Sequence, residues 1–408
     1  MSKTSRRTFL KSIAFGNEKS SPANDKILVS IFLRGGADTL NMFVPYADAD
    51  YYKQRPTIAI PPPHKSEPNR DAALKLNDLY AVHPRLKPIL PIYQDGRLAI
   101  IQSVGSDNPT GSHFDTQDQV EHGEAYGKKL GGGWLGRHLR LHGKNNQTPL
   151  SAVSIGTSIC ESLSGAPNVC ALGSLDEIKL QIKPDESRSL LDSLSALYGS
   201  EIGILSEPGK ETIQLLHKVQ SIHNGQYRPE YDAVYGDDQF SRGMKEIARL
   251  IKANVGMQAA CIDFGGWDTH FVQGSSEGLQ ANNIDILGKG LAAFDRDISK
   301  YRNRVTTIVM TEFGRRTYEN GSLGTDHGQG SAVMIIGGGV KGGRFYGEWT
   351  GVADQDVDIL GPSGLRIKYD YRAVLQEVLS GLLNNRNAHK VFPDLSAPLI
   401  GFAPPITA

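Results

Sequence analysis

The sequence predicts an α/β fold: a doubly wound, mostly parallel sheet with helices on both faces. Two observations carry that expectation. Short, continuously apolar runs recur along the chain, and stretches with helical spacing separate them. Glycines and charged or imidazole side chains then gather directly after several of those runs, where open α/β sheets collect their functional groups.

Ile27–Leu33 reads as a strand buried on both faces, because it is apolar without alternation. The helix-like stretch Arg85–Tyr93 precedes a second such run, Leu98–Val104, and Val153-Ser154-Ile155 is a further short strand. Met244, Ile247, Ala248 and Ile251 have helical spacing and lead into the strand Ala259–Phe264. The helix-like residues 284–301 lead into Val305–Thr311, and Ala332–Ile336 runs into a glycine turn. Tyr369–Leu383 has the spacing of a packing helix. Residues 160–235 read as an insertion or lid beside the core sheet, within one domain spanning 25–408.

The 408 residues carry 44 basic and 44 acidic side chains, which excludes the basic excess of a dedicated nucleic-acid binder. No apolar run reaches the roughly 18–20 residues of a membrane helix. Cys160, Cys170 and Cys261 are too few for a disulfide framework and read as free thiols, with a Cys160–Cys170 pair as the alternative. Ser5-Arg6-Arg7-Thr8-Phe9-Leu10-Lys11 resembles a twin-arginine export signal, yet its apolar stretch gives way at once to Asn17-Glu18-Lys19. Residues 1–24 are therefore a degenerate signal or a disordered tail. The expected location is periplasmic or exported, otherwise cytoplasmic.

Four segments carry chemistry. Asp38 follows the first strand and two glycines. Ser112 has capping-box spacing with Asp115, and a hydroxyl at a helix N-terminus is also well placed as a nucleophile. His113 beside it is a candidate base or ligand. Asp268 and His270 lie two apart, so an extended segment presents both on one face to a metal. Glu312 follows a strand directly, Asp326-His327 precedes one, and Arg315 and Arg316 either bind an oxyanion or neutralise the carboxylates. Gathering Asp38, Asp268, His270, Glu312, Asp326 and His327 at one sheet edge sets carboxylates against each other unless cations intervene. Two divalent metals, zinc or manganese given the mixed oxygen and nitrogen donors, meet that need. The glycine-rich 337–343 reads as a turn, and His138/His142 as a surface pair.

The stretches SRRTFLK, FLRGGADTLN, HPRLKPIL, GSHFDTQD, GGWDTH, TEFGRR and GTDHGQG occur in an order that resembles domain of unknown function family 1501, twin-arginine-exported bacterial proteins. That family is similar to alkaline phosphatases, sulfatases and cofactor-independent phosphoglycerate mutases. The resemblance implies a two-metal site. Asp38 then matches the carboxylate after the first strand, Ser112 falls near the nucleophile, and Asp268 and His270 match one metal's pair. Two departures stand out: Phe313 follows Glu312 where the superfamily has His, and no sulfatase-type Cys/Ser-x-Pro-x-Arg motif is present. The expected activity is metal-dependent hydrolysis of a phosphate or sulfate ester, with Ser112 attacking and His113 and Arg315 assisting. The alternatives are a non-catalytic envelope protein that binds a glycan or protein partner, and a metal-dependent mutase or transferase.

Overall fold

The structure, a computed structural model, describes residues 26–64, 71–142, 148–177, 184–200, 206–223, 227–352 and 364–405. The segment resembling an export signal lies outside the described residues. The strands are β1 (Ile27–Leu33), β2 (Phe43–Val44), β3 (Leu74–Lys75), β4 (Ala81–Val82), β5 (Leu98–Gly105), β6 (Ala152–Ile155), β7 (Val169–Leu172), β8 (Ala259–Phe264), β9 (Val305–Thr311), β10 (Ser331–Gly337), β11 (Arg344–Tyr346) and β12 (Tyr369–Asp370).

Nine strands form one sheet in the order β11-β5-β10-β9-β1-β8-β6-β7, with β12 extending beside β5. Pairing is parallel except at β10, which runs antiparallel to both β5 and β9. The reversal has a geometric consequence. The entry to β10, not its exit, lies at the carboxyl edge of the other strands, so Asp326 and His327 arrive there from the preceding loop. The segment expected to be an insertion contributes β7 to the sheet edge, and it also holds the helices Pro184–Ser200 and Ser206–His223.

Every residue of β1 and β9 is buried, as a central strand covered on both faces requires. Alternate side chains enter two separate cores. Val29, Ile31 and Ile262 pack against the helices Gln239–Lys252 and Leu279–Asp297, through Met244, Ile247, Ile251, Leu287 and Leu291. Leu28, Phe32 and Cys261 face the opposite layer, built from Trp134, Leu139, Val374, Leu375 and Leu379. The helix Gln239–Lys252 starts where Asp238 accepts from Ser241 N at 2.7 Å, a side-chain cap for an otherwise orphaned donor. The Arg85–Tyr93 stretch is tighter than expected: Pro84–Ile89 is a 3-10 helix, and Leu90–Gln94 follows as a short α-helix. Pro88 lacks the N–H that an α-helix interior needs.

A small antiparallel sheet, β2-β4-β3, packs with Leu40, Tyr51 and Ile60 into a third cluster. Arg55 locks this lobe to the main sheet. Its guanidinium is fully buried, donates to Asp38 Oδ2 at 2.5 Å and Asn41 Oδ1 at 2.7 Å, and holds the carbonyls of Thr317 and Arg316. No described helix is long and apolar enough to cross a membrane.

His138 corrects the expectation of a surface pair. It is buried, Asn385 Nδ2 donates to its Nδ1 at 2.9 Å, and its ring stacks on His142. Burial pushes its pKa down to about 3 and that of the buried His83 down to about 4. An unfolded histidine takes up its proton near pH 6.5, so between that pH and about 4 the unfolded chain binds more protons than the folded one. Stability is complete above about pH 6.5 and declines as pH falls toward 4. Urea midpoints measured across that range will show the slope, and His83→Gln will reduce it. Arg55→Met leaves the Asp38 carboxylate buried without its cation. Denaturant melts of that variant should show a loss of roughly 3–5 kcal/mol.

Candidate metal centre

Four parallel strand ends and the entry to β10 converge on one cleft. Glu312, one residue past β9, is the anchor. Its side chain is fully buried, and Oε1 accepts from Gly35 N, Gln117 Nε2 and His113 Nδ1, each at 2.8 Å. Oε2 lies 2.9 Å from Thr311 Oγ1. Burial alone would raise this carboxyl's pKa, but the hydrogen bonds from His113 and Gln117 outweigh it and hold it below the ordinary range. Gly35 makes the approach possible: a Cβ there would stand 2.6 Å from Asp268 N, and its φ of +119° suits glycine.

His113 opens the helix His113–His122, which Ser112 caps by accepting from Asp115 N at 3.4 Å. Because Nδ1 faces a carboxylate, it carries the proton, and Nε2 points inward with its lone pair. The hydrogen bond to Glu312 raises the His113 pKa against the opposing effect of burial. Nε2 itself is buried, has no hydrogen-bond partner, and lies 3.5 Å from Asp268 Oδ2.

The same logic governs two further imidazoles. His270 Nδ1 is 2.8 Å from Asp326 Oδ1, and His327 Nδ1 is 2.7 Å from the Gly111 carbonyl. Both rings therefore donate outward and turn Nε2 toward Asp268 Oδ1, at 3.0 Å from His270 and 3.3 Å from His327. The two Nε2 atoms are themselves 3.0 Å apart. Two lone pairs at that distance repel, and a shared proton or a cation relieves the contact. Burial pushes the His327 pKa down, which favours the neutral, ligand-competent ring. His113, Asp268 and His327 form a donor set whose ligand atoms lie within 4.8 Å of one another.

Asp268 is held from beneath by Arg315. That guanidinium is fully buried and donates to Asp268 Oδ1 at 2.5 Å and to the carbonyls of Gly35, Gly36, Trp267 and Thr325. Burial favours a neutral Asp268, but Arg315 and His270 outweigh it and keep the carboxyl ionised. Arg315 therefore faces the protein rather than the cleft. Burial likewise works against Asp326, yet the hydrogen bonds from His270 and Asn320 lower its pKa.

Of the residues singled out in the sequence, His113, Asp268, His270 and His327 meet in the cleft. Glu312 and Asp326 stand behind them, each orienting one imidazole. Asp38 lies apart, occupied by Arg55 and by Gln273 Nε2 at 2.7 Å. Two contributors were missed. Arg55 has no motif around it. Gln273 is fully buried and links Asp38 to Thr269 Oγ1 and Thr325 Oγ1, bracing both loops that carry site residues. Its position three residues after His270 was the available signal.

Comparison with solved structures gives fold similarities at low identity. The zinc complex of the C-terminal periplasmic domain of EcEptC from Escherichia coli is 8% identical, with 78% of this chain and 75% of that chain covered and a TM-score of 0.34. Alkaline phosphatase from the Antarctic bacterium TAB5 is 10% identical, covering 78% and 92%, with a TM-score of 0.28. Phosphonate monoester hydrolase of Agrobacterium radiobacter is 10% identical, covering 81% and 72%, with a TM-score of 0.32. No curated relative matches the sequence. A family model does: DUF1501, described as a protein of unknown function, matches residues 25–359, and the chain belongs to that family.

Proposed function

We propose that this cleft is a metal-dependent hydrolytic centre acting on phosphate or sulfate esters. The observation that carries the reading is the common orientation of three imidazoles. Each has its Nδ1 engaged by an oxygen outside the cleft, so each offers a lone pair at Nε2 beside the Asp268 carboxylate. Oxygen-bound Nδ1 atoms are the usual backing of metal-ligating histidines, and they raise ligand basicity. The unpartnered Nε2 of His113 fits the same role.

The donor set of His113, Asp268 and His327 has the two-imidazole, one-carboxylate composition of catalytic zinc sites. His270 stands next to it as a further ligand or as the start of a second site, the arrangement expected if two ions bind. A bound cation of this kind supplies Lewis acidity toward an ester oxygen. The chain's own part is to keep Asp268 ionised through Arg315, His113 aligned through Glu312, and His270 aligned through Asp326. Ser112 Oγ, at the N-terminus of the helix that opens with His113, is the proposed nucleophile, and water is its competitor. The Ser5–Lys11 motif supports export of the folded, loaded protein.

Protein purified without chelators should carry zinc or manganese in stoichiometric amount, measured by elemental analysis. Asp268→Ala and His327→Ala should lose it while remaining folded. A folded wild type that takes up neither ion sinks the hydrolase reading and favours the binding-protein alternative. Glu312→Gln retains an oxygen beside His113 but not the charge, and titration against a chelator should show affinity lower by about 10–100-fold. Ser112→Ala decides the nucleophile: turnover of 4-nitrophenyl phosphate or sulfate lower by roughly 100-fold or more assigns the attack to Ser112, and undiminished turnover assigns it to water.

A further inference from the structure

Away from the candidate metal centre, two cysteines lie on one face of the sheet. Cys261 is in the middle of β8, buried, with its side chain in the layer formed by Trp134, Leu139 and Leu163. Its cross-strand partner on β6 is Ser154. Ser154 Oγ accepts from Cys160 N at 3.1 Å and donates to the Ser158 carbonyl at 2.9 Å. The chain leaving β6 is thereby folded back over the sheet, and Cys160 packs onto the same core layer as Cys261. Ser154 thus stands beside both residues, paired with Cys261 across the strands and bonded to the Cys160 backbone. Cys160 is half-buried and open to solvent, while Cys261 is enclosed.

Cys170 belongs elsewhere. It pairs with Val153 on β6, and its side chain packs into the core on the opposite face of the sheet. Its thiol donates to the Ala171 carbonyl. The sheet stands between Cys170 and the other two, which removes the Cys160–Cys170 pairing that the sequence left open.

We propose that Cys160 and Cys261 are a redox pair, closing to a disulfide by exchange with a small disulfide oxidant. The accessible Cys160 thiolate attacks the oxidant, forming a mixed disulfide and releasing one thiolate of the reagent. The enclosed Cys261 thiol then gives up its proton to base as its sulfur attacks the Cys160 sulfur, forming the internal bond and releasing the second thiolate. Two protons and two electrons leave the protein, and one reagent disulfide becomes two thiols.

The bond would clip the start of the 160–235 segment to the strand that leads into Asp268. The clip has a route toward the centre. The 3-10 helix Glu161–Leu163 begins beside Cys160, and its Ser162 bonds through N and Oγ to Glu121 Oε1, each at 3.2 Å. Glu121 Oε2 holds Arg34 at 2.6 Å, Arg34 holds Gln117 at 3.2 Å, and Gln117 holds Glu312. Closing the pair restricts a long loop of the unfolded chain and fixes the outer end of that series.

The test uses the full native chain incubated with oxidised glutathione, then unfolded, alkylated and mapped by mass spectrometry. The expected result is a fall from three labelled cysteines to one, Cys170, with a Cys160–Cys261 cross-linked peptide. Cys170→Ser should close as before, and Cys261→Ser should stop at a glutathione adduct on Cys160. The oxidised protein should melt at a higher temperature than the reduced one. Three labelled thiols after native oxidation, or a linkage that includes Cys170, would overturn the proposal.

Discussion

One buried carboxylate collects the ends of separate strands. Glu312 receives a backbone N–H from the turn after β1 and side-chain donors from the helix that follows β5, while sitting itself at the end of β9. Removing a charge from water is costly, and the site meets that cost with four polar neighbours packed around two oxygens. Because those neighbours come from different parts of the chain, satisfying the charge also fixes the mutual position of the loops. Arg315 does the same with opposite sign. It ties the turn after β1 to the segment after β8 and to the loop before β10. The cleft is thus assembled around two inward charges, and the imidazoles are placed on that frame.

This division explains why the acidic residues do not all point at one spot. Glu312 and Asp326 face imidazoles, Asp268 faces the cleft, and Asp38 is neutralised at a distance by Arg55. Like charges that would repel at close range are separated, each with its own donors. The repulsion argument that suggested cations in the sequence is therefore met in part by protein donors. The argument for a metal passes to the nitrogens, two of which approach to 3.0 Å and need a shared proton or a cation between them.

The strands were readable because burial on both faces demands continuous apolar runs, and β1, β5, β9 and β10 follow the expected ranges closely. The packing helix after Tyr369 was readable for the same reason: its apolar spacing matches the face it buries, from Tyr371 through Leu382. Residue identity at strand ends singled out side chains that the fold brings together in one cleft. It could not say which of them face the cleft and which stand behind it, because Glu312 and Asp268 look alike as sequence and differ in burial and in which donors reach them. Arg315 stayed ambiguous for a related reason: a guanidinium beside carboxylates suits an anion site and a buried brace equally, and its burial against Asp268 favours the brace. His138 was misread because the partner that satisfies it, Asn385, is distant in sequence.

The connection between β9 and β10 has its ends stitched together. Arg315 and His327 form an isolated antiparallel bridge, and Asn320 reaches from the loop to the His270 carbonyl and to Asp326. The tip at Gly321 and Ser322 is exposed, yet the carbonyls of Ser322 and Leu323 accept from Val272 N and Gln273 N at 2.9 Å each. The loop is therefore held along its length against the segment that carries His270, as well as at its base beside His327. Such an arrangement yokes two imidazoles: a displacement of the loop that delivers His327 is passed through its backbone hydrogen bonds to the segment that follows His270.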